Sequence, residues 1–125
     1  MNTPSVGGAF AYADGVLAGR VSACRLVRLA CQRLIDDLAH AEAREGDRAF
    51  RAELAEKPMR FTSLLPNIKG PLAGKPLELM GWQQFLFANL FGFVEHEAGA
   101  RRFRQGVVFV PRGGGMTSIA APLAL

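Results

Sequence analysis

Val107-Val108-Phe109-Val110-Pro111-Arg112-Gly113-Gly114-Gly115-Met116-Thr117-Ser118 is the stretch on which the fold of this 125-residue chain turns. Its four consecutive apolar residues predict a strand covered on both faces, over about Arg104 to Val110. Behind the glycines, Ile119-Ala120-Ala121 begins a small-residue helical pattern. Strand, glycine loop and helix in that order form the layout of a phosphate-binding loop, where backbone N–H groups and a helix start cradle anionic oxygens. In such a loop the glycines permit positive φ and close approach, a lysine reaches the β- and γ-phosphates, and a hydroxyl binds Mg²⁺. Here Met116 stands at the lysine position and Val110 at that of the first glycine, so the pattern is departed from at both ends. As a bare pattern, a glycine turn after a strand is more often only a turn.

Upstream of the strand, a polar link from Glu95 to Ala100 follows a helix predicted over Leu77 to Phe91. That helix places Leu79, Trp82, Leu86 and Leu90 on one stripe with Phe85 near it. Pro76 fits its first turn and Gly92 its end. Before it, Phe61 to Pro76 is loop-rich, with Pro66-Asn67, Lys69-Gly70-Pro71 and Gly74-Lys75-Pro76 as turn signals. A shorter helix is predicted over Arg48 to Glu56, capped by Asp47, with Phe50 and Leu54 inward and Pro58 as its stop.

The most regular pattern in the chain is Cys24, Val27, Cys31, Leu34, Leu38 and Ala41, which predicts an amphipathic helix from Arg20 to about Arg44, closed by Gly46. A first helix over Ala9 to Ala18 would end at Gly19. The long helix carries its charges against its dipole. Arg20, Arg25, Arg28 and Arg33 occupy its first half, and Asp36, Asp37, Glu42 and Glu45 its second. Each such placement costs up to ~0.5 kcal/mol at an exposed end. Pairs such as Arg33–Asp37 would offset this, or the stripe of Arg25, Arg28 and Gln32 would be a basic face kept for a partner.

Half of the residues are hydrophobic, enough for one modest domain, and no Gly/Ser or Pro linker divides the chain. Cys24 and Cys31 lie seven apart on one predicted helix face, too far to bridge, and read as reduced core residues of a cytosolic protein. The first twenty residues include Asp14 and lack a basic and then apolar leader, so no secretory signal is expected. The most apolar segment, Phe85 to Val94, is about half the ~20 residues that a membrane helix requires. Net charge is +4, and no Asp or Glu follows Glu97, while Arg101, Arg102, Arg104 and Arg112 do. That end would attract polyanions, or simply be solvated.

Four segments taken together, Leu79-Met80-Gly81-Trp82-Gln83-Gln84-Phe85, Asn89-Leu90-Phe91-Gly92-Phe93, Arg101-Arg102-Phe103-Arg104 and Val110-Pro111-Arg112-Gly113-Gly114-Gly115-Met116-Thr117, resemble the large terminase subunit of tailed bacteriophages in order and spacing. Tyr12, Gly19, the helix from Arg20, and Lys69-Gly70-Pro71-Leu72-Ala73-Gly74 are similar to that family's N-terminal region, so the resemblance spans nearly the whole chain.

The resemblance implies an α/β fold, the start of a P-loop NTPase with a RecA-like parallel sheet. Residues 1–76 would be an N-terminal helical region and 77–125 the beginning of the ATPase domain. By itself the chain would be mostly α-helical, with one buried strand near 104–110. The implied activity is ATP-driven packaging of viral DNA, with a nuclease following in the full family pattern. The implied cofactors are ATP and Mg²⁺, and the implied partners are viral DNA, the small terminase subunit and the portal, in the host cytoplasm. Residue by residue, it assigns adenine contact to Gln83, whose carboxamide both donates and accepts, while Trp82 packs the helix. Arg112 would neutralise charge on the γ-phosphate. Gly113, Gly114, Gly115, Met116, Thr117 and Ser118 would form the cradle, with Thr117 as Mg²⁺ ligand.

Met116 carries no charge and cannot do the lysine's work, Pro122 interrupts the first turns of the loop helix, and the sequence closes at Leu125 before any acidic strand end. No ATPase activity is therefore expected of this chain alone. His40 and His96 are isolated and read as surface or satisfied core residues. A second reading is a non-catalytic module that binds DNA or terminase subunits through its basic helix and Arg101 to Arg104. A third is an unrelated helical domain whose glycine loop is a turn. A strand built for a central sheet leaves both edges unpaired, so homo-oligomerisation or poor solubility is also expected.

Overall fold

Glycine and alanine set where the helices meet. The computed structural model describes residues 4–42, 48–65, 74, 78–95 and 100–110. Helix α1, Val6–Leu17, buries Ala9, Ala13 and Val16, one face at helical spacing. It lies against α4, Gly81–Gly92. A Cβ on Gly8 would stand 2.0 Å from Gln84 Oε1, and one on Gly81 would stand 3.3 Å from Tyr12 Cβ, so the two helices run antiparallel at close range. Helix α3, Ala52–Ser63, covers the other side of α4, and α2, Arg25–Glu42, covers the other side of α1.

Two short strands complete the body. Strand β1, Arg48–Phe50, pairs antiparallel with β2, Phe93–Glu95, in the register Ala49 to Val94 and Phe50 to Phe93. The chain then returns along β2. Arg102 N–H donates to Phe93 O at 2.9 Å, Glu95 N–H donates to Ala100 O at 3.0 Å, and Arg101 bridges Val94. One core cluster holds Ala9, Ala55, Met59, Phe87 and Ala88. The second holds Ala13, Val16, Cys31, Leu34 and Phe93. Phe50 joins them, its ring 5.7 Å from that of Phe10 and 5.0 Å from that of Phe93.

The mostly helical character expected of the chain is what the described residues show, but the sheet is small, antiparallel and elsewhere than predicted. Residues 104–110 form no strand. Val107 is 81 % and Phe109 91 % exposed. A run apolar on both faces needs sheet neighbours and two covering layers, and the described residues supply neither. The pairing falls instead to Phe93-Val94, where the aromatic and β-branched residues after Gly92 find β1 beside them.

Helix limits differ as well. Gly19, at φ +83°, ends α1 as its glycine signal predicts. Arg20 and Val21 N–H groups then both donate to Gly15 O, so residues 18–21 wrap the end of α1 and α2 starts only at Arg25. Cys24 therefore stands outside the helix and is exposed, Cys31 is buried, and both are free thiols. With β1 occupying 48–50, α3 begins at Ala52 and runs through Pro58. Its buried face is Ala55, Met59 and Thr62, and Leu54 is turned outward. Burying Met59 beyond the proline contributes roughly 2 kcal/mol, against about 3 kcal/mol for a proline in a helix interior. In α4 the fully buried residues are Phe87 and Ala88, while Trp82, Leu86 and the preceding Leu79 pack partly buried around them. Asp47, Gly46, most of the stretch 66–77 and Glu97 lie outside the described residues.

Candidate functional site

Two adjacent glutamines organise the start of α4. Met80 is extended, and its N–H donates to Gln83 Oε1 at 2.8 Å, so the carboxamide folds back to hold the residue before the helix. A Ser/Thr-x-x-Glu/Gln pattern signals this arrangement in sequence; Met80 in the first position hides it. Gln84 ties two helix starts together. Its Oε1 accepts from Ser5 N–H at 3.2 Å, its Nε2 donates to Leu79 O at 2.8 Å, and only a glycine at position 8 leaves it room. Ser5 and Gln84 are 79 residues apart, so no local signal announces the contact. Gln83, given an adenine-contacting role by the resemblance, is buried, with its oxygen engaged on the backbone. Trp82 packs in the core cluster beside α4.

Farther along α4, Asn89 is 8 % exposed; its Nδ2 donates to Phe85 O at 2.9 Å, and its Oδ1 is buried without a partner among the described residues. Such an acceptor is costly to leave unmatched.

The segment Arg101 to Arg104 is fastened to the body by its guanidiniums. Arg102 Nη1 lies 2.5 Å from Asp37 Oδ2, with both side chains less than a fifth exposed. The same guanidinium sits 4.6 Å above the Phe103 ring and 5.9 Å from that of Phe93. Arg33 approaches Phe103 at 4.9 Å, and Arg101 lies 5.1 Å from the Phe91 ring. Each contact is within the range where a cation is attracted to an aromatic face. Asp37 thus pairs with Arg102 rather than with Arg33, because the returning chain after β2 brings a second arginine to it. On the predicted basic stripe, Arg28 Nη1 donates to Val16 O at 3.4 Å near the end of α1, and Gln32 donates to Asp36 Oδ1 at 3.0 Å. Arg25 and Arg104 are exposed.

Burial pushes the Cys31 thiol above its ordinary pKa. Burial also raises Tyr12, and facing Cys31 and Cys24 raises it further. Both groups are held neutral in the fold. His40 Nδ1 lies 2.7 Å from Asp36 O. Among the described residues, no group of three or more His, Cys, Asp or Glu is placed to hold a metal ion. No described helix is long and apolar enough to cross a membrane.

Arg112, Gly113, Gly114, Gly115, Met116, Thr117, Ser118 and Pro122 lie outside the described residues, as does His96. In that stretch of sequence Thr117 carries a hydroxyl suited to Mg²⁺, whereas Met116 supplies neither the charge nor the donor needed for the phosphates. The donor set therefore does not fit a hydrolysing Mg²⁺–ATP centre. Comparison of the chain with protein-family models, with curated proteins and with solved structures gives no match.

Proposed function

We propose that the chain is the N-terminal part of a packaging ATPase related to the large terminase subunit, in which a helical body braces a phosphate-binding loop that does not hydrolyse ATP. The observation that supports this reading is convergence. Leu79 and Trp82 before and in α4, Phe91 and Phe93 at its end, and Arg101 to Phe103 after it all pack into one body, and in sequence they directly precede residues 111–118. Phe93 and Phe103 meet edge to face at 6.2 Å, and Gly106 lies against Leu90. In this reading Gln83, with its oxygen held by Met80, turns its amide group to the adenine edge. Gly113 to Gly115 cradle phosphate oxygens, Ser118 adds a hydroxyl, Thr117 meets Mg²⁺, and Arg112 faces the γ-phosphate. Met116 removes the lysine clamp, so binding is weak and turnover absent. Viral DNA, the small subunit and the portal are the partners that the resemblance implies.

The test is nucleotide binding and hydrolysis by the full chain with Mg²⁺. No turnover is expected, and Met116→Lys should tighten ATP binding at least about tenfold, the worth of one charge-assisted contact. Turnover by the unmodified chain that Arg112→Ala abolishes would overturn the inactive reading. Unchanged affinity in Met116→Lys would show that the loop is not a phosphate site. Salt-dependent DNA binding without any nucleotide binding would favour the non-catalytic module.

A further inference from the structure

Helix α2 turns a charged and apolar seam outward. Its buried side is Cys31 and Leu34, packed with α1 and β2. On the far side Leu26 is 74 % and Leu29 53 % exposed, with Arg25 and Asp36 exposed beside them. Leu26, Leu29, Arg33 and Asp36 recur at spacings of three and four, which is the seam that paired helices present to each other. The polarity of this helix is its second unusual property. No acidic residue lies in its first turn; Arg25, Arg28 and Arg33 fill the first half, and Asp36, Asp37 and Glu42 the second. Within one chain, these charges oppose the helix dipole.

We propose that α2 is a self-association surface on which two copies of the chain pack antiparallel about a two-fold axis near residue 31, each Arg25 facing Asp36 of the second copy. An antiparallel arrangement is the one in which the basic half of each helix meets the acidic half of the other and the two macrodipoles oppose. Residues whose numbers sum to about 62 then lie level along an axis rising 1.5 Å per residue. Leu29 of each copy falls next to the axis, and Leu26 lies toward the acidic end of the opposing helix. The contact is isologous, as a two-fold axis requires. A parallel pairing would set Arg25 against Arg25 and Asp36 against Asp36. A polyanion would meet Asp36 along with Arg25, which is why a second copy fits this face better than nucleic acid does.

The test is sedimentation equilibrium of the full chain over a range of concentrations, with Arg25→Glu, Asp36→Arg, Leu29→Glu and the Arg25→Glu/Asp36→Arg double variant. The unmodified chain should dimerise reversibly, and each single change should weaken the dimer at least tenfold. An equimolar mixture of Arg25→Glu with Asp36→Arg should associate again, because both ion pairs across the axis are then complementary; the double variant should also recover. Arg25→Glu places an acid at the helix start, so the monomer should melt no lower than the unmodified chain at the same dilution. A monomer at every concentration, a dimer indifferent to Arg25→Glu, or a mixture that stays monomeric would each overturn the proposal. DNA binding lost in Arg25→Glu without any self-association would assign the face to nucleic acid instead.

Discussion

The α1–α4 junction and the run from Arg104 to Val110 are both rich in apolar residues, yet the first is fully buried at its centre and the second carries the two most exposed large hydrophobic side chains among the described residues. In the junction, Ala9, Ala13, Phe87 and Ala88 are fully buried. Gly8 admits the Gln84 carboxamide, which serves both helix starts. In the run, Val107 and Phe109 stand in solvent. The difference is one of partners. A helix satisfies its own backbone and needs only a facing stripe to bury its side chains, whereas a strand needs neighbours for its backbone before its side chains are covered. Apolar content selects a segment for burial, and periodicity together with available neighbours decides whether it happens.

Truncating Phe87 should break the packed side of this comparison most strongly. Phe87→Ala removes a fully buried ring between α1 and α3 and is expected to lower unfolding free energy by about 3–5 kcal/mol in denaturant titration. Gly92→Ala comes next. Its Cβ would lie 2.2 Å from Phe50 Cε2, a ring wedged against Phe10 and Phe93. A loss of roughly 1–3 kcal/mol is expected from overpacking, and retention of full stability would show that β1 and α4 are not held at this distance.

Raising pH sharpens the comparison more gently. Cys31 and Tyr12, both in or beside the packed region, are held protonated above their ordinary pKa values. Below about pH 8.5 both folded and unfolded chains keep these protons and stability is flat. As pH rises further, the unfolded chain releases them first, so it binds fewer protons than the fold and stability falls until the folded groups also titrate. Thermal melting from pH 8 to 11 checks this, and Cys31→Ala should flatten the earlier part of the decline. The smallest effect belongs to the exposed run. Phe109→Ser should change stability by no more than about 0.5 kcal/mol while reducing aggregation at high concentration.

What was legible in the sequence divides along the same line. The helical period of α2 and the glycine after α1 are local signals, and both elements are where those signals put them to within a few residues. Strands β1 and β2 are three residues each, below the length at which alternation shows, and Phe50, read as an inward helix residue, lies in β1. Pro58 is a stop signal that α3 runs through, with Ala55, Met59 and Thr62 buried together on one face. At the candidate site, Gln83 is singled out only through the resemblance, and the bond its oxygen accepts from Met80 N–H is masked by Met80 in the first position. The Gln84–Ser5 bond and the Asp37–Arg102 pair, 65 residues apart, depend on α1, α2 and α4 being assembled first.

Amide hydrogen exchange across the full chain tests most directly the central claim, that a self-sufficient helical body and an unpaired strand-forming run stand side by side. Amides of residues 10–17 in α1 and 85–91 in α4 should exchange slowest of all, opening only with global unfolding. Those of residues 106–110 should exchange at the rate of an unstructured peptide. Strong protection at Val107 to Val110 at concentrations where the chain is monomeric, or fast exchange through Phe87 and Ala88, would contradict it.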